Sequence, residues 1–420
     1  MIKEKETEEN NLMEKIVSLC KRRGFVFPGS EIYGGFAGTY DWGHLGLALK
    51  NNIKQHWWKK FVDDRRNMYG MDAAIIMNPK VWEASGHVLG FSDKAEDGKQ
   101  FNVMFKTQVG AGEEAIVSYL RPETAQGMFV NFKNTVDAFH PKLPFGMAQI
   151  GKAFRNEIAP RDFIFRQREF EQMEIEYFVR SIEWEKYFEY WRGEMLDWME
   201  EIGMDMNKVH EVEVGDGDRA HYSSRTVDFE FDYPFGQKEL FGLAYRSDFD
   251  LKNHKLEYID EEAPTPEGVG VPTESVGKKI IPHVIEPTFG VDRAVLALLC
   301  SVYAEDEKDG EVRSYLKLKP SIAPVICAVS PLLKNKPELV EYANIKVFAP
   351  LKAEFGRVAW DDNGNIGKRY RRQDEIGTPF CIVVDFDTLE NNTVTVRDRD
   401  TGEQERVAVA NLQKYIKEKI

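Results

Sequence analysis

The sequence predicts an α+β protein, in which an antiparallel sheet flanked by helices is followed by a smaller α/β unit. Three observations support this fold class. Residues 149–178 predict two antiparallel strands joined by a loop that contains the breaker Pro160. Residues 182–204 predict a long scaffold helix rich in Trp, Glu and Lys. Beyond Pro320 the predicted strands and helices alternate, which is typical of a compact α/β unit.

Composition narrows the classes of protein to which the chain can belong. Its 420 residues are 42% hydrophobic and 30% charged, which suits a globular protein with two or three domains. No apolar run approaches the roughly 20 residues of a membrane span, and the N-terminus lacks a signal peptide's apolar core. We therefore expect a cytoplasmic protein with no membrane partner.

Charge and cysteine usage exclude further classes. The net charge of -14 argues against broad nucleic-acid binding, so no DNA partner is expected. A protein with this net charge can still carry a local basic surface. The four cysteines are scattered without CxxC spacing. That pattern indicates a reducing compartment and predicts no zinc site.

The predicted hairpin at 149–178 has one polar face and one apolar face. Residues two apart in a strand share a face. The first strand brings together Gly151, Ala153, Arg155 and Glu157. The second brings together Arg166, Arg168, Phe170, Gln172, Glu174 and Glu176, with Met173, Ile175 and Tyr177 on its other face. The polar face therefore changes from arginines, through an aromatic ring, to carboxylates.

This gradient matches a ligand with phosphate at one end and an amine at the other. Guanidinium groups donate bidentately to phosphate, a phenylalanine ring offers a stacking plane for a purine, and carboxylates suit an ammonium group. Such a surface could activate an amino acid with ATP. The alternative is a surface hairpin with solvated charges, although Gly151 and Ala153 beside Arg155 leave room for a ligand.

The segments FRNE at 154–157 and FRQREFEQMEIEYF at 165–178 resemble motif 2 of the class II aminoacyl-tRNA synthetases. They resemble most closely the glycyl-tRNA synthetases of the dimeric, single-chain type, and the resemblance covers nearly the whole chain. It implies the class II antiparallel sheet with a C-terminal α/β anticodon-binding domain. It also implies a homodimer that uses ATP and Mg²⁺ to form glycyl-adenylate and transfers glycine to the 3′ end of tRNA(Gly).

The N-terminal part contains the layout of class II motif 1, at about 45–79. A helix at 8–21 and a glycine-rich stretch at 25–46 come first; the glycines could form tight turns or a phosphate-binding loop. A helix at 45–62 with three aromatic residues then precedes a strand at 71–77. In the resembled family this element builds the dimer interface, whereas on sequence alone an aromatic helix is more often core.

Between motifs 1 and 2 the sequence departs from the resembled family. Residues 81–92 predict a loop, after which relatives carry a long insertion; here only 93–100 remain. His87 lies in this loop without the paired spacing of a metal site. Glu123 follows a predicted strand in the segment RPETAQG, at the start of a helix. It could cap that helix; by resemblance it lines the amino-acid pocket.

After motif 2, two more strands are predicted at 221–231 and 237–244. Glu239 lies in an ELxG pattern, where the resemblance implies a residue beside ATP and its Mg²⁺. One carboxylate with phosphate oxygens suits Mg²⁺, but on sequence alone an unliganded glutamate on an edge strand is the favoured interpretation. Tyr245 replaces the asparagine of most relatives, and 253–276 is a short acidic loop.

Motif 3 corresponds to residues 281–300. A strand carries Glu286 and Thr288 on one face, and a helix begins after Gly290. Arg293 lies in the first turn of that helix, where the helix dipole already favours anions. By resemblance, Arg293 covers the adenine and phosphate of ATP. Thr288 stands where relatives commonly have serine, which adds a methyl group to a pocket for glycine.

The sequence divides at Pro320, into domains at 1–319 and 320–420. In the second we predict strands at 322–329, 357–360, 381–385, 393–397 and 404–409, a helix near 339–355, and a loop at 363–380. Four basic residues surround Tyr370 in that loop: Lys368, Arg369, Arg371 and Arg372. Such a cluster suits single-stranded RNA, and a solvated helix face is the alternative. In the resembled family this unit binds the anticodon.

The resemblance implies in-line attack of the glycine carboxylate on the α-phosphorus of ATP, with Arg155 and Arg293 as catalytic residues. Arg166 or Arg168 would hold the outer phosphates. Phe170 and Arg293 would enclose adenine, and Glu123, Glu174 and Glu286 would receive the ammonium group. The expected ATP site comprises Arg155, Asn156, Glu157, Phe165, Arg166, Gln167, Arg168, Glu169, Phe170, Glu239 (also the Mg²⁺ ligand), Leu240, Gly290, Val291, Asp292 and Arg293. The expected glycine site comprises Glu123, Phe170, Glu171, Gln172, Met173, Glu174, Glu286, Pro287, Thr288, Phe289 and Gly290.

Three other functions are compatible with these motifs: a class II synthetase for another amino acid, a catalytically silent paralogue, and a different adenylating ligase. Three carboxylates around a small pocket favour glycine. The presence of Arg155 and Arg293 favours an active enzyme, and the C-terminal unit favours a tRNA substrate.

Overall fold

The computed structural model describes residues 2–94, 100–261, 277–308 and 310–420. Parts of the short insert at 93–100 and of the acidic loop at 253–276 lie outside these ranges. No helix within the described ranges is both long and apolar enough to cross a membrane.

The helices and strands of the described residues are numbered in chain order. The helices are α1 (Ile2–Arg23), α2 (His44–Trp58), α3 (Pro79–Ala84), α4 (His87–Gly90), α5 (Ala125–Val130), α6 (Phe132–Phe139), α7 (Trp184–Ile202), α8 (Phe249–Asn253), α9 (Val291–Val302), α10 (Pro337–Tyr342), α11 (Ala349–Phe355), α12 (Ile366–Glu375), α13 (Phe386–Asn391) and α14 (Leu412–Lys417). The strands are β1 (Val26–Pro28), β2 (Tyr40–Trp42), β3 (Met68–Met71), β4 (Ser92–Lys94), β5 (Gln100–Asn102), β6 (Lys106–Val109), β7 (Ile116–Tyr119), β8 (Phe145–Phe154), β9 (Glu169–Val179), β10 (Val209–Glu213), β11 (Arg225–Tyr233), β12 (Gly236–Ser247), β13 (Tyr258–Asp260), β14 (Lys278–Ile280), β15 (His283–Gly290), β16 (Tyr303–Lys308), β17 (Glu311–Leu316), β18 (Cys327–Pro331), β19 (Val358–Trp360), β20 (Phe380–Val384), β21 (Thr393–Asp398) and β22 (Gln404–Ala408).

A seven-stranded sheet forms the centre of the larger part of the chain, with strand order β10-β11-β12-β15-β9-β8-β3. Its neighbouring strands are antiparallel except for the parallel pair β3 and β8. The predicted hairpin is β8 and β9, in register from Phe145 opposite Phe178 to Phe154 opposite Glu169. The predicted α+β fold with an antiparallel sheet is therefore confirmed.

An aromatic core lies where α2 and α7 pack against the sheet. The ring of Trp57 is centred 5.6 Å from that of Phe61 and 5.9 Å from that of Phe289. Trp198 from α7 lies 5.1 Å from Phe289, and Trp191 lies 5.6 Å from Phe61. All five side chains are fully buried. Trp57 and Phe61 are thus core residues. This agrees with the interpretation that rested on sequence alone, in which an aromatic helix belongs to the core.

Two predictions near motif 1 are wrong. The strand predicted at 71–77 ends at Met71, because only Met68–Met71 pairs with β8; residues 72–77 then leave the sheet. The loop predicted at 81–92 contains α3 and α4. Asn78 caps α3 by accepting a hydrogen bond from the backbone N–H of Lys80, and Pro79 suits the first helical position.

The C-terminal part is an α/β unit, as predicted, with a five-stranded sheet in the order β19-β18-β20-β21-β22. Strand β18 is parallel to β19 and β20, and the remaining pairs are antiparallel. Ile322 and Ala323 are buried in the large core, whereas Ile326 and Cys327 belong to the core of this unit. The observed strand begins at Cys327, five residues after the start of the strand predicted at 322–329.

The loop predicted at 363–380 is also wrong, because it contains α12. The side chain of Asn365 caps this helix by accepting a hydrogen bond of 2.9 Å from the backbone N–H of Lys368. The glycines of the segment indicated a loop. The side chain of Asn365 instead marks a helix N-terminus.

Candidate active site

One cavity lies on the face of the central sheet that carries Gln172 and Glu174, which alternate along β9 with the core residues Met173 and Ile175. The cavity collects most of the predicted site. The predicted residues that line it are Glu123, Arg155, Glu157, Phe165, Arg166, Gln167, Phe170, Glu171, Gln172, Glu174, Glu239, Leu240, Glu286, Thr288, Gly290, Asp292 and Arg293. Residues from motif 2, motif 3 and the segment around Glu123 are therefore brought together.

Some predicted glycine-site residues lie elsewhere. Met173 and Phe289 are fully buried in the aromatic core, so the prediction that their side chains contact glycine is wrong. The reason is strand alternation, because each follows a cavity-lining residue by one position. Pro287 and, from the predicted ATP site, Val291 are buried but do not line the cavity.

Three predicted ATP-site residues also lie outside the lining. Arg168 Nη1 donates 2.6 Å to the carbonyl of Ala37, and Glu169 pairs with Lys152 Nζ at 2.5 Å. The backbone N–H of Asn156 donates 2.7 Å to a neighbouring carbonyl. Arg168 and Glu169 thus pair with protein groups outside the cavity.

Arg155, at the end of β8, is held by the backbone and by aromatic rings. Its Nε donates 3.1 Å to the carbonyl of Pro122. Its guanidinium carbon lies 5.3 Å from the ring centroid of Phe170 and 5.2 Å from that of Phe91. Within the described residues, no carboxylate forms a salt bridge with Arg155. Its charge is therefore available to an anion in the cavity.

Two further arginines of the cavity, Arg166 and Arg293, have protein partners. Arg166 Nε donates 2.7 Å to Glu157. Arg293, in the first turn of α9, approaches the carboxylate of Glu239 at 3.1 Å and lies 4.4 Å above the ring of Phe165. Arg293 thus stacks on Phe165, and Phe170, predicted to enclose adenine together with Arg293, faces Arg155.

Asp292 and Glu171 form the rim where α9 meets β9. Asp292 accepts hydrogen bonds from Lys50 Nζ at 2.9 Å and from the backbone N–H of Glu171 at 2.8 Å. Lys50 Nζ also lies 3.1 Å from the Glu171 carboxylate. This buried network joins the motif 1 helix α2 to motifs 2 and 3. The carboxylates of Asp292 and Glu171 therefore stabilise the contact between these motifs.

Glu174, further along β9, is buried at the opposite end of the cavity from the arginines. It accepts a hydrogen bond of 3.0 Å from Thr288 Oγ1 on β15 and a short one from Thr124 Oγ1. The hydroxyl of Thr288 therefore takes part in the site.

Sequence reasoning missed Arg246, a fully buried residue of β12. It donates to both oxygens of Asp250, at 2.7 and 2.9 Å, and to Glu286, and it lies 3.7 Å above the ring of Tyr222. A spacing of two puts Gly242, Ala244 and Arg246 on one face. That pattern repeats the arrangement of Gly151, Ala153 and Arg155, which is the signal that could have identified it.

Carboxylates are in excess at this end of the cavity. Glu174, Glu176 and Glu286 each offer an oxygen within 4.8 Å of the others. Burial and the nearby charges of Glu174 and Glu123 raise the pKa of Glu286 to about 8, although Arg246 opposes the shift. Burial and Glu286 raise the pKa of Glu176 well above its usual value, and neither oxygen of Glu176 has a hydrogen-bond partner in the described structure. A cation would therefore be stabilised here.

Glu123 differs from its neighbours. Burial raises its pKa, but interactions with His87 and Arg246 outweigh that effect, so its pKa lies below the usual range. His87, which the sequence offered only as an isolated histidine, is buried with Nε2 3.2 Å from Glu123 Oε2. Glu123 does not cap α5; it points into the cavity.

Two carboxylates at the arginine-rich end could accept a metal ion together with phosphate oxygens. Glu239 and Asp228 both line the cavity. Burial and the charge of Glu239 raise the pKa of Asp228 to about 7, while Arg293 lowers the pKa of Glu239. Since Mg²⁺ prefers one or two carboxylates plus phosphate oxygens, this donor set fits it.

The basic residues of α12 divide into two pairs. Arg369 is buried and donates 3.1 Å to the carbonyl of Asp362, and Arg372 Nη2 lies 2.6 Å from the Asp361 carboxylate. The prediction that these two contact RNA is therefore wrong, because their guanidinium groups bind the protein itself. Lys368 and Arg371 are exposed.

Comparisons with known proteins agree with this geometry. The family described as tRNA synthetase class II core domain (G, H, P, S and T) matches residues 105–303, and the family described as Anticodon binding domain matches 326–419. The glycine--tRNA ligase of Caldanaerobacter subterraneus subsp. tengcongensis is 44% identical over 97% of this chain and 98% of its own length. This chain belongs to the glycine--tRNA ligase family.

Other members of the family match equally fully. The glycine--tRNA ligase of Bacillus anthracis is 43% identical over 97% of this chain and 99% of its own, and that of Thermus thermophilus is 42% identical over 97% and 99%. The solved structure of Giardia lamblia prolyl-tRNA synthetase with prolyl-adenylate has a TM-score of 0.72. The structural match covers 96% of this chain and 76% of the prolyl-tRNA synthetase chain, at 16% sequence identity. The two proteins therefore share a fold.

The raised pKa of Glu286 predicts how stability changes with pH. The folded protein holds a proton up to about pH 8 that the unfolded chain releases near 4.5. The free energy of unfolding should therefore fall as pH rises through this window, by up to about 1.4 kcal/mol per pH unit. Urea unfolding of the wild type and Glu286→Gln between pH 5.5 and 8.5 measures this change, and the free energy of unfolding of the variant should depend less on pH.

The control is Glu185→Gln, which replaces an exposed glutamate. Equal slopes of unfolding free energy against pH for the wild type and Glu286→Gln would contradict the raised pKa of Glu286.

Proposed function

We propose that the protein activates glycine with ATP to form glycyl-adenylate and transfers the glycyl group to the 3′ end of tRNA(Gly). The observation that carries this proposal is the polarised cavity, with Arg155 and Arg293 at one end and Glu174 and Glu286 at the other. Phe170 and Glu174 are four positions apart along β9, which corresponds to a distance of about 13 Å. That distance separates a phosphate-binding end from an ammonium-binding end.

Arg155 is the group best placed to stabilise charge on the α-phosphate. Attack by the glycine carboxylate creates a pentavalent phosphorus with additional negative charge, and a preorganised cation lowers that barrier without any protein nucleophile. Arg155 is oriented by Pro122, Phe91 and Phe170 rather than by a carboxylate. Arg166 and Arg293, which share their charge with Glu157 and Glu239, are suited to the outer phosphates and the nucleoside.

The carboxylate end accounts for the choice of glycine. Glu123, Glu174 and Glu286 would receive the ammonium group, and Thr124 and Thr288 fill the space beside Glu174. Glycine offers no side chain to bind, so larger amino acids must be excluded sterically. Overfilling a tight pocket costs about 1–3 kcal/mol, and the buried hydrogen bonds make this pocket hard to expand.

ATP is expected to arrive with Mg²⁺, for which Glu239 and Asp228 are the proposed ligands. When bound, the ion would neutralise phosphate charge near the arginine-rich end. We further propose that the cytoplasmic enzyme consists of a catalytic domain at 1–319 and a tRNA-binding domain at 320–420. The change from one buried core to the other close to residue 325 supports a boundary in this region.

Replacement of Arg155 tests the proposed activity. Arg155→Ala should lower glycine-dependent ATP–pyrophosphate exchange about 10²- to 10³-fold, by analogy with the loss of one oxyanion donor. Initial rates at saturating glycine and ATP measure it. The matched control is Arg192→Ala, which removes a surface arginine of α7 that pairs with Glu189 and Glu211. Exchange by Arg155→Ala at the rate of the control would refute the role given to Arg155.

We also propose a homodimer, formed beside strand β3 at the edge of the sheet. The chain that leaves β3 exposes Ile75 and Ile76, and Ile76 bridges to Leu120 at the end of β7. The adjoining hairpin exposes Ile116 and Val117 at 57% and 49%. Exposed apolar side chains beside an open sheet edge are typical of a protein interface, and two-fold dimers are the commonest oligomers.

A charge in this patch should dissociate the dimer. Ile76→Glu is expected to give a monomer of half the mass in sedimentation equilibrium, because a carboxylate cannot be buried there unpaired. The control is Ile345→Glu, at an equally exposed position of the C-terminal unit. A wild-type protein that sediments as a monomer, or an Ile76→Glu protein that stays dimeric, would exclude this interface.

The C-terminal unit is proposed to bind tRNA through the exposed residues Lys368 and Arg371 of α12. The double variant Lys368→Ala/Arg371→Ala should raise the KM for tRNA in aminoacylation several-fold, because removing a cation that neutralises an RNA phosphate weakens binding. Pyrophosphate exchange, which needs no tRNA, should be unchanged. An unaltered KM for tRNA would place the RNA on another surface.

A further inference from the structure

We propose that Ser85 and His87 form a positioning pair that holds the carboxylate of Glu123 in the ammonium-binding end of the cavity, and thereby sets the affinity for glycine. The inference rests on the proposed function and deepens it. Neither residue lines the cavity. Each acts through Glu123, so they are positioning residues rather than catalytic ones.

The geometry places the three side chains next to one another. His87 Nδ1 lies 2.8 Å from Ser85 Oγ, and its Nε2 lies 3.2 Å from Glu123 Oε2, an ion-pair contact without hydrogen-bond alignment that leaves Nε2 with no other partner among the described residues. None of the three residues is more than 5% exposed. Gly86 makes the turn between Ser85 and His87, with φ +81°, a conformation that glycine adopts without strain. The backbone thus places Ser85 directly behind the imidazole.

The contact with Glu123 needs a donor on Nε2, whichever charge the imidazole carries. An ionised carboxylate only accepts hydrogen bonds, so the Nε2 that faces it must bear the proton. Ser85 can then donate to a neutral Nδ1, or accept from Nδ1 while its own hydroxyl turns to the carbonyl of Trp82, 3.4 Å away. In both cases the serine fixes the state in which Nε2 donates.

The imidazole has little freedom to turn away. Its ring centre lies 5.6 Å from that of Trp82 and 5.1 Å from that of Phe91. The other oxygen of Glu123 accepts 3.1 Å from Gln126 Nε2. Gln126 therefore holds one oxygen of Glu123 by a hydrogen bond, and the imidazole of His87 lies against the other.

This arrangement distinguishes Glu123 from the other carboxylates of the pocket. Burial and the charges of neighbouring carboxylates raise the pKa of Glu174 and of Glu286, whereas His87 and Arg246 bring the pKa of Glu123 below its usual range. Glu123 is thus the carboxylate that is already ionised and oriented when glycine arrives. Loss of the donor should weaken glycine binding without altering the ATP end, which lies with Arg155 and Arg293.

Two substitutions separate a positioning role from a packing role. His87→Phe keeps an aromatic ring between Trp82 and Phe91 but removes both nitrogen atoms. His87→Gln removes the ring but keeps an amide N–H that can reach Glu123. Steady-state pyrophosphate exchange gives the KM for glycine and for ATP in the full-length enzyme, with Ser85→Ala as a milder change. Thermal unfolding of each variant reports on folding.

The proposal predicts that His87→Phe raises the KM for glycine about 10- to 100-fold, the range seen when the outer partner of a metal-ligating side chain is lost. The KM for ATP should stay within about twofold. His87→Gln should recover most of the affinity, and Ser85→Ala should lie between. If His87→Phe retains the wild-type KM for glycine, or if His87→Gln is the more damaged variant, His87 is a packing residue and the proposal is wrong. A wild-type protein without glycine-dependent exchange would instead refute the proposed function itself.

Discussion

The structure depends on a buried surplus of carboxylates that Arg246 balances only in part. Arg246 is fully buried and pairs with Asp250 and Glu286, with Glu123 at 3.9 Å. Removing so many charged groups from water is costly unless they are paired or neutralised. The raised pKa values of Glu174, Glu176 and Glu286 are the consequence. The folded protein retains this cost, which a bound cation would relieve.

The aromatic core on the opposite face of the same sheet offsets the free-energy cost of burying these carboxylates. Strand alternation sends Met173 and Phe289 into a fully buried aromatic core while Gln172, Glu174 and Thr288 face the cavity. Each fully buried large side chain contributes about 1.5–3 kcal/mol. The core also connects the motifs, since Lys50 of α2 pairs with Glu171 of motif 2 and Asp292 of motif 3. Site and core are thus two faces of one element.

The sequence was most informative where alternation alone decides the outcome. The β8–β9 hairpin, the polar face with Arg155 and Glu174, and the first-turn position of Arg293 all follow from local pattern and from resemblance. Assignment by motif failed for Met173 and Phe289, because a contiguous motif includes both faces of a strand. It also failed for Arg369, where a charge that seemed suited to RNA is buried against backbone carbonyls.

Other parts of the site could not be predicted, because distant segments create them. His87 of α4 meets Glu123 through a contact between segments far apart in the chain, and no local spacing encodes that contact. Arg246 was detectable from the small residues that precede it on its face of β12, but its partner Glu286 lies on another strand. Long-range pairing of charges is the feature that the sequence pattern did not contain.

The central claim is that one cavity joins a phosphate-binding end to an end shaped for the smallest amino acid. The most direct measurement is pyrophosphate exchange by the purified protein with glycine, alanine, serine and proline in parallel. The account predicts exchange with glycine and at most a small fraction of that rate with the others. Equal or faster exchange with a larger amino acid, or no exchange with any of them, would contradict it.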